Sequence, residues 1–359
     1  MRCGSNSHRF DRVLCSRSGD RLAALTGGPT RTRTPSIAYT DDGMAKCVVT
    51  GGAGFIGSTL VRKLLEGGAS VAVIDNLLTG HEKNLFEVRD RIEFHRIDIR
   101  DAAALGPAIR GAEVVYHLAA IPSVPRSIDD PVLSHEVNID GTFNVLQAAA
   151  QAKVRRVVYA ASSSAYGDSE TLPKIETMLP RPKSPYAVQK LLGEYYASVF
   201  HSCFDLETVA LRFFNVYGPR QDPSSPYSGV LSLFMKHLLA RTQPTIFGDG
   251  EQSRDFTYVE DVAGLCIKAS NAPGAAGKMY NAGNGGRFTL NFIWDALQKM
   301  EGVKLEAKYG PPRAGDVRHS MAETTAAVAE LGHAPQFTIE EGLKRTLEWY
   351  RQTQPAAAV

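Results

Sequence analysis

The sequence predicts an α/β protein: a doubly wound parallel sheet of Rossmann type, followed by a smaller C-terminal α/β lobe. Short apolar runs alternate with helix-like runs from residue 45 onward, which is typical of βαβ units whose sheet is buried on both faces. A glycine-rich motif follows the first apolar run. After Gly218-Pro219 the segments become shorter and richer in glycine and proline, which indicates a separate lobe.

The apolar runs predict strands at residues 46–50, 70–75, 91–99, 113–119, 156–161 and 208–215. The helices between them are predicted at residues 58–66, 102–109, 132–152 and 186–204. In the C-terminal lobe, helices are predicted at residues 230–242, 260–270, 290–300, 323–331 and 339–353, with no strand assigned. Asp261 and Thr289 stand near two of these helix starts, where capping side chains are expected.

The chain divides into four predicted parts, with some crossing of the chain between the two lobes. They are a disordered extension (1–43), a Rossmann domain (44–218), a smaller lobe (219–353) and a frayed tail (354–359). An Arg-rich N-terminus can be a transit peptide, but Asp11 and Asp20 weaken that interpretation. We favour a disordered tail, or translation that begins at Met44.

Composition excludes several classes of protein. The 359 residues are 43% hydrophobic with a net charge of +2, so a globular core is expected and no basic field points to nucleic acid. No apolar run approaches the roughly 18 residues of a membrane helix. The five cysteines are scattered and lack CxxC spacing, which favours a cytoplasmic protein with neither disulfides nor a metal site.

The motif Gly52-Ala-Gly-Phe-Ile-Gly57 has the spacing G-x-G-x-x-G, and Gly51 precedes it. It follows a predicted strand and opens a predicted helix, which is the context that dinucleotide binding requires. Glycines let the backbone approach a pyrophosphate, and the helix N-terminus offers free N–H groups. Asp75 ends the second strand, where a carboxylate binds both ribose hydroxyls and repels a 2′-phosphate. We therefore predict NAD rather than NADP, with Asp98 near the adenine.

Tyr186 and Lys190 form a Y-x-x-x-K pair, which shares one helix face. A free phenol has a pKa of about 10, and a nearby ammonium and a positive nicotinamide ring would lower that pKa. The pair thus predicts a general acid or base. The serines 162–164 end the fifth strand, where hydroxyls can face the cofactor, although turn formation explains at least one of them.

These motifs, together with residues 212–218 (RFFNVYG) and 254–256 (RDF), resemble the extended short-chain dehydrogenase/reductases. Within them the chain is similar to the NAD-dependent epimerase/dehydratase group, above all to UDP-hexose 4-epimerases, over residues 45–350. The predicted NAD contacts are Gly51, Gly54, Phe55, Ile56, Gly57, Asp75, Asn76, Asp98, Ile99, Leu118, Ala119, Ala120, Tyr186, Lys190 and Phe213.

The resemblance implies that Tyr186 takes the proton of the sugar 4-hydroxyl while hydride leaves C4 for NAD. Lys190 would tune Tyr186 and bind the nicotinamide ribose. Ser162 would hydrogen-bond the 4-oxygen with Ser163 as an assistant. The resulting 4-keto sugar would turn over in the pocket and accept hydride on its other face.

The resemblance also implies the substrate contacts. Asn215 would contact a phosphate, Arg254 and Arg313 the diphosphate, Asp316 the ribose, and Phe247 the uracil. A small residue, Ser320, replaces a bulky aromatic gate and leaves room for an acetamido group. The remaining predicted substrate contacts are Ser123, Gln221 and Leu231. Pro122 lies in a loop expected to face the sugar and replaces a glycine of some relatives. How the sugar fits against this loop is left open.

Several alternatives remain at this point. A dehydratase would need an Asp-Glu pair where Ser163-Ser164 stand. A UDP-glucuronate epimerase or decarboxylase of the same family is another alternative, and an NAD-binding regulator or RNA-associated scaffold would lack catalysis. The family implies a homodimer formed by the helices near 132–152 and 186–204.

Overall fold

The computed structural model describes residues 45–223, 229–312 and 317–353. Strands and helices are numbered separately in chain order. The strands are β1 Lys46–Thr50, β2 Ser70–Ile74, β3 Ile92–His95, β4 Val114–His117, β5 Arg156–Ser162, β6 Glu207–Phe213, β7 Asn215–Tyr217, β8 Thr245–Phe247, β9 Ser253–Arg254, β10 Phe256–Tyr258, β11 Lys278–Ala282, β12 Phe288–Thr289 and β13 Lys308–Gly310. The helices are α1 Phe55–Glu66, α2 Ala102–Ile109, α3 Val124–Asp129, α4 Pro131–His135, α5 Gly141–Gln151, α6 Pro185–Cys203, α7 Val230–Leu239, α8 Val259–Asn271, α9 Leu290–Glu301, α10 Thr325–Leu331 and α11 Ile339–Thr353.

Seven parallel strands form the main sheet, in the order β11-β6-β5-β4-β1-β2-β3. Successive side chains of a strand point to opposite faces, and β1 shows this directly. Cys47 and Val49 enter the apolar core beneath α1 and α8, whereas Val48 enters the core beneath α2 and α5. Because both faces are covered, the strands are apolar throughout. The predicted fold class is confirmed.

A third apolar core holds the C-terminal lobe together. Phe234 of α7, Trp294 of α9 and Tyr350 of α11 are buried in it. Three two-stranded sheets, β7–β10, β9–β12 and β8–β13, complete this part. The chain also returns to the main sheet, because α8 packs against α1 and β11 pairs with β6. The domain boundary at residue 218 stays a prediction.

Four local predictions need correction. The strand β11 was not predicted, because its sequence is short and contains the polar Asn281, which is buried and accepts a hydrogen bond from Tyr166. The predicted helix 132–152 is interrupted by a π-helical turn, Glu136–Asp140. The predicted strand 91–99 ends at His95. Asp261 does not cap α8; its carboxylate instead accepts the N–H of Gln336 at 2.8 Å.

Other expectations agree with the structure or lie beyond it. Thr289 caps α9, because its Oγ1 accepts the N–H of Phe292 at 3.1 Å. Among the helices of the described residues, none is long and apolar enough to cross a membrane. The predicted extension 1–43 and tail 354–359 lie outside the described residues.

Candidate functional site

The glycine-rich turn joins the end of β1 to the start of α1. Gly51 has a φ of +71°, and a Cβ at this position would lie 2.7 Å from the backbone nitrogen of Ala119. A Cβ on Gly57 would lie 2.1 Å from the carbonyl oxygen of Gly51. Only glycine therefore allows α1 to begin so close to the turn. The N-terminus of α1 consequently faces the carboxyl edge of the sheet, where a pyrophosphate can be bound.

Asp75 follows β2 and is tied to the same turn. Its Oδ2 accepts the N–H of Ala53 at 2.9 Å, and its Oδ1 accepts the N–H of Leu77 at 2.8 Å. Burial raises the pKa of Asp75, and these two backbone hydrogen bonds oppose that rise. Each carboxylate oxygen keeps a further lone pair, so the group can still accept hydrogen bonds from ribose hydroxyls.

One cavity of about 620 Å³ lies along the carboxyl ends of the strands. This volume is in the usual range for a cofactor or small-molecule site. Every residue predicted to contact NAD lines the cavity. Of the predicted substrate and catalytic residues, it is lined by Ser123, Ser162, Tyr186, Lys190, Asn215, Gln221 and Leu231. The residues present therefore fit a dinucleotide with a second ligand beside it.

The catalytic candidates come from two neighbouring elements. Ser162 ends β5 and caps the short 3-10 turn Ser163–Tyr166, its Oγ accepting the N–H of Ser164 at 3.2 Å. Tyr186 and Lys190 lie one turn apart near the start of α6, and Tyr186 lines the cavity together with Ser162. Lys190 is buried and donates from Nζ to the Ala160 carbonyl at 2.7 Å. Ser163 belongs to the turn and is absent from the cavity lining.

Burial is the largest influence on the pKa values of Tyr186 and Lys190. Burial raises the pKa of Tyr186, and only the hydrogen bond with Ser162 opposes it. Burial also lowers the pKa of Lys190 to about 8, against the attraction of Glu194. The joint lowering of the phenol pKa by Lys190 and a nicotinamide ring stays a prediction.

A buried polar network, missed in the sequence, fixes α6 against the loop after β4. Asn138 accepts the N–H of Ile121 at 2.8 Å and donates to Gln189 at 2.8 Å. Gln189 also accepts from Ser134 at 2.8 Å. Asn138 lies in the π-helical turn, an irregularity that the helical pattern of the sequence concealed. The network holds the helix of Tyr186 in place beside the cavity-lining Ile121.

The predicted substrate residues are only partly brought together. Ser320 is 9% exposed, and its Oγ accepts from Asn215 Nδ2 at 3.4 Å. It thus stands behind a cavity-lining residue without lining the cavity itself. Phe247 and Arg254 are also outside the lining, and Arg254 donates to the Arg318 carbonyl at 2.9 Å. Arg313 and Asp316 lie outside the described residues.

Together, the parallel sheet, the glycine-rich turn and the serine–tyrosine–lysine trio in one cavity define a dinucleotide-binding protein with a short-chain dehydrogenase type of site. The chain belongs to the NAD dependent epimerase/dehydratase family, whose model matches residues 47–283. Membership confirms the family resemblance and NAD as the cofactor.

Three relatives indicate the range of this family. A "UDP-glucose 4-epimerase" of Mycolicibacterium smegmatis is 40% identical, covering 85% of this chain and 98% of its own length. A "UDP-glucuronate 4-epimerase" of Thermodesulfobacterium geofontis is 31% identical, covering 86% and 97%. The solved structure of a UDP-N-acetylglucosamine 4-epimerase from Methanobrevibacter ruminantium, in complex with UDP-N-acetylmuramic acid, has a TM-score of 0.83 at 34% identity and covers 87% of this chain and 99% of that one.

Proposed function

We propose that the protein catalyses 4-epimerisation of a UDP-hexose, interconverting UDP-GlcNAc with UDP-GalNAc and UDP-glucose with UDP-galactose. The observation that carries the proposal is the placement of Ser162, Tyr186 and Lys190 in the cavity that the glycine-rich turn opens. The three relatives named above support it, because each is a 4-epimerase although their substrates differ.

The chemistry of the residues follows from their positions. NAD, when bound, would supply a reversible hydride acceptor for C4 of the sugar. Tyr186 accepts the proton of the 4-hydroxyl through its phenolic oxygen and later donates it back. Ser162, which lines the cavity together with Tyr186, donates to the 4-oxygen and keeps it within reach of that phenol. Lys190 lies on the same face of α6 as Tyr186 and binds the nicotinamide ribose through its ammonium group.

The nucleotide must stay bound while the sugar turns over. We assign Asn215, Arg254 and Arg313 to the diphosphate. Asp316 would bind the ribose, and Phe247 would lie against the uracil. Guanidinium groups suit phosphate because they bind it in a bidentate manner. Ser123, Gln221 and Leu231 line the cavity and would contact the sugar.

Tolerance of an N-acetyl group rests on Ser320. Its hydroxyl is held by Asn215, so a larger side chain at this position would displace a residue of the cavity wall. A serine leaves space for the acetamido group, which supports acceptance of both kinds of hexose.

A second candidate, epimerisation or decarboxylation of UDP-glucuronate, is favoured by the glucuronate-epimerase relative. A dehydratase has less support, because Ser163 and Ser164 stand beside Ser162 where that reaction needs an acid and a base. A non-catalytic regulator would not require the trio in the cavity.

We also propose a cytoplasmic homodimer that uses the helices near 132–152 and 186–204. Apolar side chains on this surface support it. Val188, Tyr195 and Val199 of α6 and Val132 of α4 are exposed. A self-complementary pairing would bury them, and sedimentation of the purified protein would test the dimer.

The test of the activity is a substrate screen. Purified protein with added NAD is incubated separately with UDP-glucose, UDP-galactose, UDP-GlcNAc, UDP-GalNAc and UDP-glucuronate, and products are read by NMR. The proposal predicts C4 epimers of the four neutral sugars. Loss of CO₂ from the glucuronate without epimers of neutral sugars would favour the second candidate. No conversion of any sugar at high enzyme concentration would reject an epimerase.

A further inference from the structure

Two loops meet at the cavity through a contact between side chains to which the sequence analysis gives no role. Residues 75–81 follow β2, and residues 218–223 follow β7. The Nε2 atom of His81 lies 3.1 Å from Oδ2 of Asp222, and both residues line the cavity. An imidazole N–H donating to a carboxylate at this distance is a normal hydrogen bond. The contact therefore joins two walls of the cavity that are 141 residues apart in the chain.

His81 is anchored to the glycine-rich turn. Its backbone N–H donates to the Ala53 carbonyl at 3.0 Å, and Asn84 Nδ2 donates to the same oxygen at 2.9 Å. The N–H of Ala53 is held by Asp75 at 2.9 Å. A Cβ on Gly80 would lie 2.8 Å from Oδ2 of Asp75. His81 is thus fixed beside the predicted ribose site and not at the catalytic trio.

The loop of Asp222 is anchored on the opposite side. Arg220 donates from Nη2 to Thr59 Oγ1 of α1 at 2.9 Å, and the hydroxyl of Tyr350 in α11 donates to the Gln221 carbonyl. Arg220 has a φ of +70°, a conformation that is unfavourable for a non-glycine residue. Such a conformation persists when the surrounding contacts determine it. The loop is therefore held where it presents Asp222 to His81.

We propose that the His81–Asp222 pair is a clamp that retains NAD by holding these two loops together at the ribose end of the cavity. The sugar reaction returns the hydride that it removes, so a retained cofactor suits it. This proposal depends only on NAD binding at the predicted site. It is independent of which sugar the protein converts. Both side chains are partly exposed, at 42% and 32%, so their hydrogen bond is weak. We therefore expect it to slow the release of NAD without being required for NAD to bind.

The test measures NAD release. Protein saturated with labelled NAD is chased with excess unlabelled NAD, and the label retained is followed with time. His81→Ala and Asp222→Ala each remove the contact and are expected to speed release about fivefold, the upper range for a partly exposed pair of side chains. The double variant is expected to release NAD no faster than either single variant, because the same contact is lost once.

Two further proteins make the result decisive. The exchanged pair, His81→Asp with Asp222→His, restores the contact and should slow release again relative to its single variants. Lys183→Gln breaks the exposed Lys183–Asp168 pair of 3.2 Å, which lies outside the cavity lining, and should release NAD like the wild type. The clamp would be overturned if both single variants released NAD at the wild-type rate. It would also be overturned if the double variant showed the two single effects added together. The sugar screen is read separately, so a failed clamp leaves the proposed activity standing.

Discussion

The two ends of the cavity are built in different ways. At the cofactor end, the backbone of residues 51–57 makes the site, and Asp75 is bonded directly to that backbone. At the proposed sugar end, the cavity is lined by side chains from separate segments, such as Ser162 of β5, Tyr186 of α6 and Asn215 of β7. A backbone site tolerates almost no substitution, whereas a side-chain site can change its substrate by single replacements. The following predictions test this difference.

The largest effect is expected for Tyr186→Phe, which removes the phenolic oxygen and keeps the ring. General acid–base catalysis contributes about 10²–10⁴-fold, so turnover should fall by about a thousandfold. NAD retention should stay near that of the wild type, because the phenolic oxygen is one contact among many and the other predicted NAD contacts remain. Turnover is measured by NMR and bound NAD by absorbance after gel filtration. Turnover within tenfold of the wild type would exclude Tyr186 as the proton acceptor.

Gly57→Ala should disrupt the cofactor end. The new Cβ would lie 2.1 Å from the Gly51 carbonyl, and relieving that overlap costs about 1–3 kcal/mol. NAD affinity, measured by calorimetry, should fall up to about a hundredfold. The control is Gly106→Ala in α2, where a Cβ meets nothing within 4 Å and which should leave NAD affinity unchanged. Equal NAD affinities for the two variants would show that the turn can accommodate a Cβ at residue 57.

Ser320→Tyr should change the sugar end selectively. A large ring beside Asn215 removes the space for an acetamido group, so kcat/KM for UDP-GlcNAc should fall about 10–100-fold. Conversion of UDP-glucose by the same variant is the internal control and should change much less. If both sugars were affected alike, or the acetamido sugar not at all, the assignment of Ser320 would be wrong.

A smaller effect is expected for Asp75→Asn. The amide keeps the shape but loses the charge, and charged hydrogen bonds are stronger than neutral ones by about 1 kcal/mol. Binding of NAD should weaken about fivefold, and the discrimination against NADP should narrow. Titration of both cofactors into the two proteins measures this. An unchanged NAD-to-NADP ratio would show that Asp75 serves only to hold Ala53.

The same contrast explains what the sequence could predict. The strand, the glycine spacing and Asp75 are close together in the chain and obey one local geometry, so the cofactor end was predictable from residues alone. The sugar end depends on tertiary placement. The distance between Ser320 and Asn215, the His81–Asp222 contact and the direction of the Tyr186 pKa each depend on segments far apart in sequence. The strand β11 was missed for the same reason, since pairing with β6 determines it more than its own composition does.

The central claim is that hydride leaves C4 of the sugar and returns to it inside one cavity. The most direct test supplies UDP-glucose, and separately UDP-GlcNAc, deuterated at C4 in ordinary water, and analyses the products by NMR and mass spectrometry. The account predicts C4 epimers that keep the deuterium at C4. Epimers that have lost the deuterium to solvent, or products altered at another carbon, would contradict it.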